Sequence, residues 1–232
     1  TWHGAAGRWA RSRCPECYAL RARASRRLPA TAANGERVPI SLFHRHDLQL
    51  DPATPLLLEG YDTYGISDLP SFSPNRLPLM KRGFVYAIAH VHGGRERGYR
   101  WYREGRLAAK ANNFSNYITC AEALTEASYT DAEHTQAHGG SAVGIPVEAV
   151  LDRRPKLFDA AVADVPFVDV LSIMLDPSLL LPLPGWPEWS SPLEDPAACN
   201  DIAGYSPQDN LALRPYPHLL VRAGVSNTWL AY

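Results

Sequence analysis

The sequence predicts an α/β domain, a mostly parallel, twisted sheet with helices flanking it. Two observations carry this reading. Strand-sized apolar runs alternate along the chain with segments whose apolar residues recur at helical spacing, the pattern of a parallel sheet covered by crossover helices. A chain of 232 residues is also long enough to bury one large core. No internal repeat interrupts the pattern.

Taken in order, Asn34-Gly35 is a two-residue hairpin turn. It leads into Val38–Phe43, where Val38, Ile40 and Leu42 alternate as in a strand; Pro39 cannot donate a hydrogen bond, which places that strand at a sheet edge. Thr54–Leu58 is an all-apolar run ending in Gly60-Tyr61, suited to a buried strand. Gly83–Val91 is another, followed by Gly93-Gly94. From Asn113 onward, Phe114, Tyr117, Ile118, Ala121 and Leu124 mark one face of a helix. A second helix carries Val147, Val150 and Leu151 and stops at Arg154-Pro155. Phe158–Val165 and His218–Ala223 supply two further strands. Nine of the 20 prolines fall between Pro177 and Pro217, which predicts a loop-rich region.

Charge is balanced, with 23 basic and 24 acidic residues, so nothing in the average points to nucleic acid or a membrane surface. No apolar run is long enough to span a bilayer, and the N-terminus lacks the order of a secretory signal. Cys14, Cys17, Cys120 and Cys199 do not form a disulfide framework for a chain of this size, so a reducing, cytoplasmic setting is expected. Cys14-Pro15-Glu16-Cys17 has zinc-knuckle spacing but no second Cys/His pair, and no metal site is expected. Residues 1–27 hold seven arginines against one acid, Glu16, and read as a solvated basic tail. We therefore divide the chain into a variable N-terminal segment, 1–33, and an α/β domain, 34–232.

The stretch that organises the chain is His138-Gly139-Gly140-Ser141-Ala142-Val143-Gly144, between a strand-sized and a helix-sized segment. A small residue two positions before a serine, then a small residue and a helix, resembles the nucleophile elbow of α/β-hydrolases. Such a turn projects the serine oxygen from the sheet and aims the next N–H, here that of Ala142, at an oxyanion. Two departures are visible. The motif's last glycine is Val143, and the strand entering the turn reads His134-Thr135-Gln136-Ala137-His138, polar where a central strand should be apolar. Unpartnered polar groups there would each cost about 1–3 kcal/mol. Pro146 would remove a helix hydrogen bond unless it lies in the first turn.

Further blocks follow in a fixed order: Gly60-Tyr61…Tyr64-Gly65, Arg82-Gly83-Phe84-Val85, Gly93-Gly94…Gly98 with Trp101-Tyr102, Val165-Pro166-Phe167-Val168-Asp169-Val170, Met174-Leu175-Asp176, Tyr205-Ser206-Pro207 and Tyr216-Pro217-His218. This collinear set resembles the catalytic domain of the prolyl oligopeptidase family of serine peptidases, and is most similar to its oligopeptidase B branch. The resemblance runs from about Arg27 to the end. It implies an α/β-hydrolase fold, cut short at its C-terminus and without the family's β-propeller, that acts on short peptides through an acyl-enzyme. It implies no cofactor and no particular oligomeric state. Ser141 would be the nucleophile, and the Tyr61 phenol with the Ala142 N–H would form the oxyanion hole.

The same resemblance shows what is altered. The position of the family's aspartate holds Asn227, and the only histidine after Ser141 is His218, which belongs to a strand block. His138, three positions upstream, sits on the entering strand, out of reach of the serine oxygen. An Asp→Asn change in such a triad costs roughly 10⁴ in kcat, and loss of the histidine on the order of 10⁶. The chain as given is therefore expected to be inactive, and a non-catalytic peptide- or partner-binding relative is the alternative. Where the family carries an arginine and an aspartate, this chain has His92 and Asn116. The acids that hold a basic substrate side chain in the oligopeptidase B branch align with Gly185 and Pro187, leaving Glu188 as a substitute. An exposed apolar surface is expected where the propeller would sit.

Overall fold

The computed structural model describes residues 23–141 and 144–224. Its centre is a seven-stranded sheet in the order β1-β2-β4-β3-β5-β6-β7. The strands are β1 (Arg23–Thr31), β2 (Arg37–Arg45), β3 (Leu56–Gly60), β4 (Val85–Ala89), β5 (Thr135–Gly140), β6 (Ala160–Asp164) and β7 (His218–Arg222). The first two form an antiparallel hairpin around Asn34-Gly35, and β2 joins β4 antiparallel. From β4 to β7 every pairing is parallel.

Two expectations are corrected at this end of the sheet. Residues 23–31, placed by sequence in the N-terminal segment, are the edge strand β1. The strand with Pro39 is interior, between β1 and β4. Residues on an antiparallel strand aim N–H and C=O to the same side, and the Pro39 carbonyl accepts from the His90 N–H at 3.0 Å. The missing proline N–H therefore costs only the reciprocal bond to the His90 carbonyl, just past the Ile40↔Ala89 start of the β2–β4 ladder, and that carbonyl accepts from the Trp101 indole at 3.2 Å instead.

Helices close both faces. The long α3 (Ala111–Glu126) buries Phe114, Tyr117, Ala121 and Leu124 at the predicted spacing. Its Tyr117 hydroxyl donates to the Leu58 carbonyl at 2.6 Å, so Leu56, Leu58 and Gly60 face α3 while Leu57 and Glu59 face away. On that other side lies α1 (Leu77–Lys81), preceded by Arg76, whose guanidinium sits over the Phe43 and Tyr86 rings. After α2 (Tyr99–Arg103) and α3 comes α4 (Gly144–Arg153), which buries Val147, Val150 and Leu151. Pro146 is the third residue of α4, inside the first turn where N–H groups have no helical partner, so it costs no hydrogen bond.

The proline-rich region is more helical than predicted. After α5 (Val170–Leu175), it holds α6 (Pro182–Trp189), α7 (Pro196–Ala203) and α8 (Pro207–Asn210). The last three each open on a proline, where its fixed φ suits the helix and the absent N–H is not needed. Clustered prolines here start short helices. Among the described residues, β7 has one neighbour, β6, and all five of its residues are exposed.

Candidate active site

β3 and β5 are parallel neighbours with Glu59 opposite His138, so their carboxyl ends finish level. Tyr61 leaves β3 two residues after Glu59, and Ser141 leaves β5 three after His138. The fold therefore brings both predicted residues to one edge. Ser141 is exposed and has φ +60°, in the left-handed region that a non-glycine residue occupies at a cost of about 1–3 kcal/mol. A sharp strand–serine–helix turn with strain at the serine is the geometry of a nucleophile elbow. The glycine before it has a steric reason. A Cβ at Gly140 would lie 3.1 Å from the Asp164 Cβ and 3.2 Å from its carbonyl oxygen. Ala142, Val143 and Asn227 lie outside the described residues, as does the Cys14/Cys17 pair.

The Tyr61 loop is fastened from beneath. The carbonyl of Asp62 accepts from the Lys110 ammonium at 3.0 Å and from the Asn113 amide at 2.9 Å. Gly65 donates to the Gly93 carbonyl at 2.9 Å. Gly93 has φ +90°, and a Cβ there would stand 1.7 Å from the Asp62 carbonyl oxygen, so only glycine permits this approach. Burial pushes the Asp62 carboxyl up to about 6. Burial also raises the Tyr61 phenol, helped by the Asp62 and Glu188 charges and opposed by Thr63, so it stays a protonated donor. Tyr61, Ile66, Asp68, His138, Gly139 and Gly140 line a cleft of about 340 Å³ beside it.

The polar strand before the serine is not the damage that sequence suggested. Thr135 Oγ1 donates to the Asp131 carbonyl at 2.6 Å, His134 Nδ1 lies 2.7 Å from Asp131 Oδ1, and Gln136 Nε2 donates to the His134 carbonyl at 2.9 Å. His138 lies between two carboxylates from the neighbouring strands. Its Nε2 is 3.2 Å from Asp164 Oδ2, and its Nδ1 is 3.4 Å from Glu59 Oε1, an ion-pair distance without hydrogen-bond alignment. Glu59 in turn accepts from the Tyr86 hydroxyl, and Asp164 from Arg222. The Glu59 and Asp164 contacts hold the imidazolium above its usual range against the opposing effect of burial. Burial pushes Glu59 up, but His138 and Tyr86 outweigh it and keep the carboxyl low. A histidine with a carboxylate facing each ring nitrogen is a clamp across β3, β5 and β6, turned to those acids and not to the serine. His218 opens β7 at the opposite, amino end of the sheet.

Two further departures prove to be contacts. His92 and Asn116 touch each other, the His92 Nδ1 meeting Asn116 Oδ1, with the imidazole stacked on Trp101 at 3.5 Å. Burial lowers the His92 imidazole, so a neutral pair fills this place. Glu188, the candidate holder of a basic substrate side chain, is unavailable. It is buried, with Oε1 2.9 Å from Lys110 Nζ and Oε2 accepting from Tyr102 at 2.9 Å. The same ammonium rests 4.2 Å from the Trp189 ring centroid. Sequence reading overlooked Lys110, Glu59 and Asp164; the single acid closing Leu56-Leu57-Leu58-Glu59 was the one available sign. Among the described residues no His, Cys, Asp and Glu group is arranged to hold a metal ion.

Comparison with known proteins agrees with this geometry. A profile of the prolyl oligopeptidase family matches residues 70–228. Protease 2 of Moraxella lacunata is 37% identical over 206 residues, which are 88% of this chain and 29% of that protein. Among solved structures, oligopeptidase B of Trypanosoma brucei is 42% identical with a TM-score of 0.88, over 90% of this chain and 30% of its own. Oligopeptidase B of Leishmania major is 39% identical with a TM-score of 0.88, over 91% of this chain and 29% of its own. The chain thus spans about three tenths of the length of these relatives, and its architecture is the α/β-hydrolase fold of their catalytic domains.

Proposed function

The chain belongs to the prolyl oligopeptidase family, and from that premise we propose that it carries a peptide site for acyl transfer. Ser141 is the acyl acceptor, and the Tyr61 phenol with the Ala142 N–H receives the oxyanion. The observation that supports this most is the left-handed Ser141 at the end of β5, level with the Tyr61 loop on β3. Strain of that kind is kept where it serves a purpose, here exposing the hydroxyl.

We further propose that these 232 residues alone bind peptide without turning it over. Asn227 stands in for the acid, and His138 is held by Glu59 and Asp164. Hydrolysis would need an imidazole beside Ser141, and among the described residues His138 is engaged by two acids while His218 stands at the amino end of the sheet. With Glu188 engaged by Lys110 and Tyr102, the site has no free carboxylate there for an arginine or lysine, so apolar or neutral peptides fit it better. The free thiols of Cys120 and Cys199 fit a reducing, cytoplasmic setting.

Labelling with a fluorophosphonate probe tests this reading, comparing the chain with its Ser141→Ala variant. The expected result is a cooperative melt for both and no difference in labelling. Strong labelling that vanishes in Ser141→Ala would overturn the claim that turnover is absent.

A further inference from the structure

Away from the serine, a cavity of about 110 Å³ lies between α4 and the turn that joins α7 to α8. Asp152 and Arg153 of α4 line it, with Gly204, Tyr205, Asn210 and Arg214. Asp152 also reaches the groove beside β7, a separate space lined by Glu148 and Leu151 of α4 and by Leu219 and Val221 of β7.

The polar lining of the cavity divides into an outer pair and an inner pair. Arg153 and Arg214 are exposed. Among the described residues the partners of Arg153 are the Phe114 ring, 5.1 Å away, and the Gly204 carbonyl at 3.5 Å, and neither is an acid. Arg214 lies 3.9 Å from Asp152 Oδ1 and donates through Nε to the Tyr216 hydroxyl at 3.3 Å. Tyr205 and Asp152 are buried, 4% and 6% exposed, and each keeps one atom without a partner, the Tyr205 hydroxyl and Asp152 Oδ2. The phenol is fixed in place by the rings of Phe114 and Trp189, at 5.5 and 6.4 Å. The Asn210 amide staples the turn beneath it, donating to the Ala203 and Ser206 carbonyls at 2.7 and 2.8 Å. Burial raises the Tyr205 phenol, so it remains a donor. Burial also raises the Asp152 carboxyl, against the Tyr216 hydroxyl and Arg214, which both favour its ionised form.

These groups define what fits between them. Two guanidiniums match the oxygens of an oxyanion, and against one carboxylate they leave a positive balance for it. The phenol has a hydrogen to donate to such an ion. Asp152 Oδ2 has only lone pairs to offer, so the ion must carry a hydrogen of its own. Near neutral pH sulfate has none and phosphate has.

We propose that this cavity binds inorganic phosphate in a hydrogen-bearing form, its oxygens taken by Arg153, Arg214 and the Tyr205 hydroxyl while its P–OH donates to Asp152 Oδ2.

Calorimetric titration of the full 232-residue chain with inorganic phosphate, in chloride at constant ionic strength, tests this against sulfate. Phosphate is expected to bind at least about tenfold more tightly than sulfate. Tyr205→Phe should weaken phosphate about tenfold and Arg153→Met should remove its binding, both with a cooperative melt. Asp152→Asn, whose amide can donate, should erase the advantage over sulfate. Tyr205→Phe deletes a single oxygen and decides the matter if Asp152→Asn does not fold. No phosphate binding beyond the chloride control, equal affinities for the two ions, or phosphate binding unmoved by Tyr205→Phe and Arg153→Met would overturn the proposal.

Discussion

The carboxyl ends of β3–β6 and the groove beside β7 both place charge where a sheet protein is expected to be apolar, and they handle it in opposite ways. At the strand ends the intruding charged and imidazole side chains meet partners: His138 meets Glu59 and Asp164, His92 meets Asn116, Lys110 meets Glu188. In the groove, Glu148 meets only a like charge. The contrast separates two kinds of departure from an apolar pattern. Polar residues that arrive as partners preserve the frame. One that arrives alone, as Glu148 does, is left uncompensated.

The sharpest way to break this contrast is Lys110→Met. It would leave Glu188 buried, with Tyr102 as its remaining partner, and should lower stability by about 3–5 kcal/mol in urea unfolding. Adding Glu188→Leu should recover most of that, since the double variant leaves no lone charge. No recovery would mean that Lys110 acts by packing on Trp189.

Glu148→Leu should move the other way, raising stability by about 1–3 kcal/mol. Because the folded carboxyl is raised, the wild type loses stability as pH climbs from the unfolded value near 4.3 to about 8. The variant should lack that slope in thermal melts at stepped pH.

The smallest effect concerns His138. Its folded imidazole is raised, so the clamp's contribution is complete below the unfolded value near 6.5 and fades as pH rises through the folded one. The lowered Glu59 and Asp164 set the acid limit, their contribution fading as pH falls through their folded values. His138→Gln should flatten the alkaline decline and cost about 1 kcal/mol near pH 6. An unchanged profile would show that the clamp carries no weight.

Much of this was legible in the sequence. Alternation located β2, apolar runs located β3 and β4, and helical spacing located both long helices, while β1 was missed; the Gly139-Gly140-Ser141 turn stands where it was read. What spacing cannot convey is which side chains meet across strands. Glu59 and His138 are 79 positions apart, and only the β3–β5 register makes them neighbours. Pro39 misled for a related reason: whether a proline N faces a ladder depends on the register of both flanking strands. The prolines of 177–217 read as loop breakers because the same residue opens a helix and ends one. Glu188 read as a free acid because nothing near it in sequence announces Lys110.

The backbone at Ser141 carries one last implication. Glycine would settle into that φ with no penalty, so a version of this protein judged on heat resistance alone would do better with the substitution Ser141→Gly. Heat resistance and an exposed hydroxyl therefore compete for a single atom pair, the Cβ and its oxygen, and the chain has come down on the side of the oxygen.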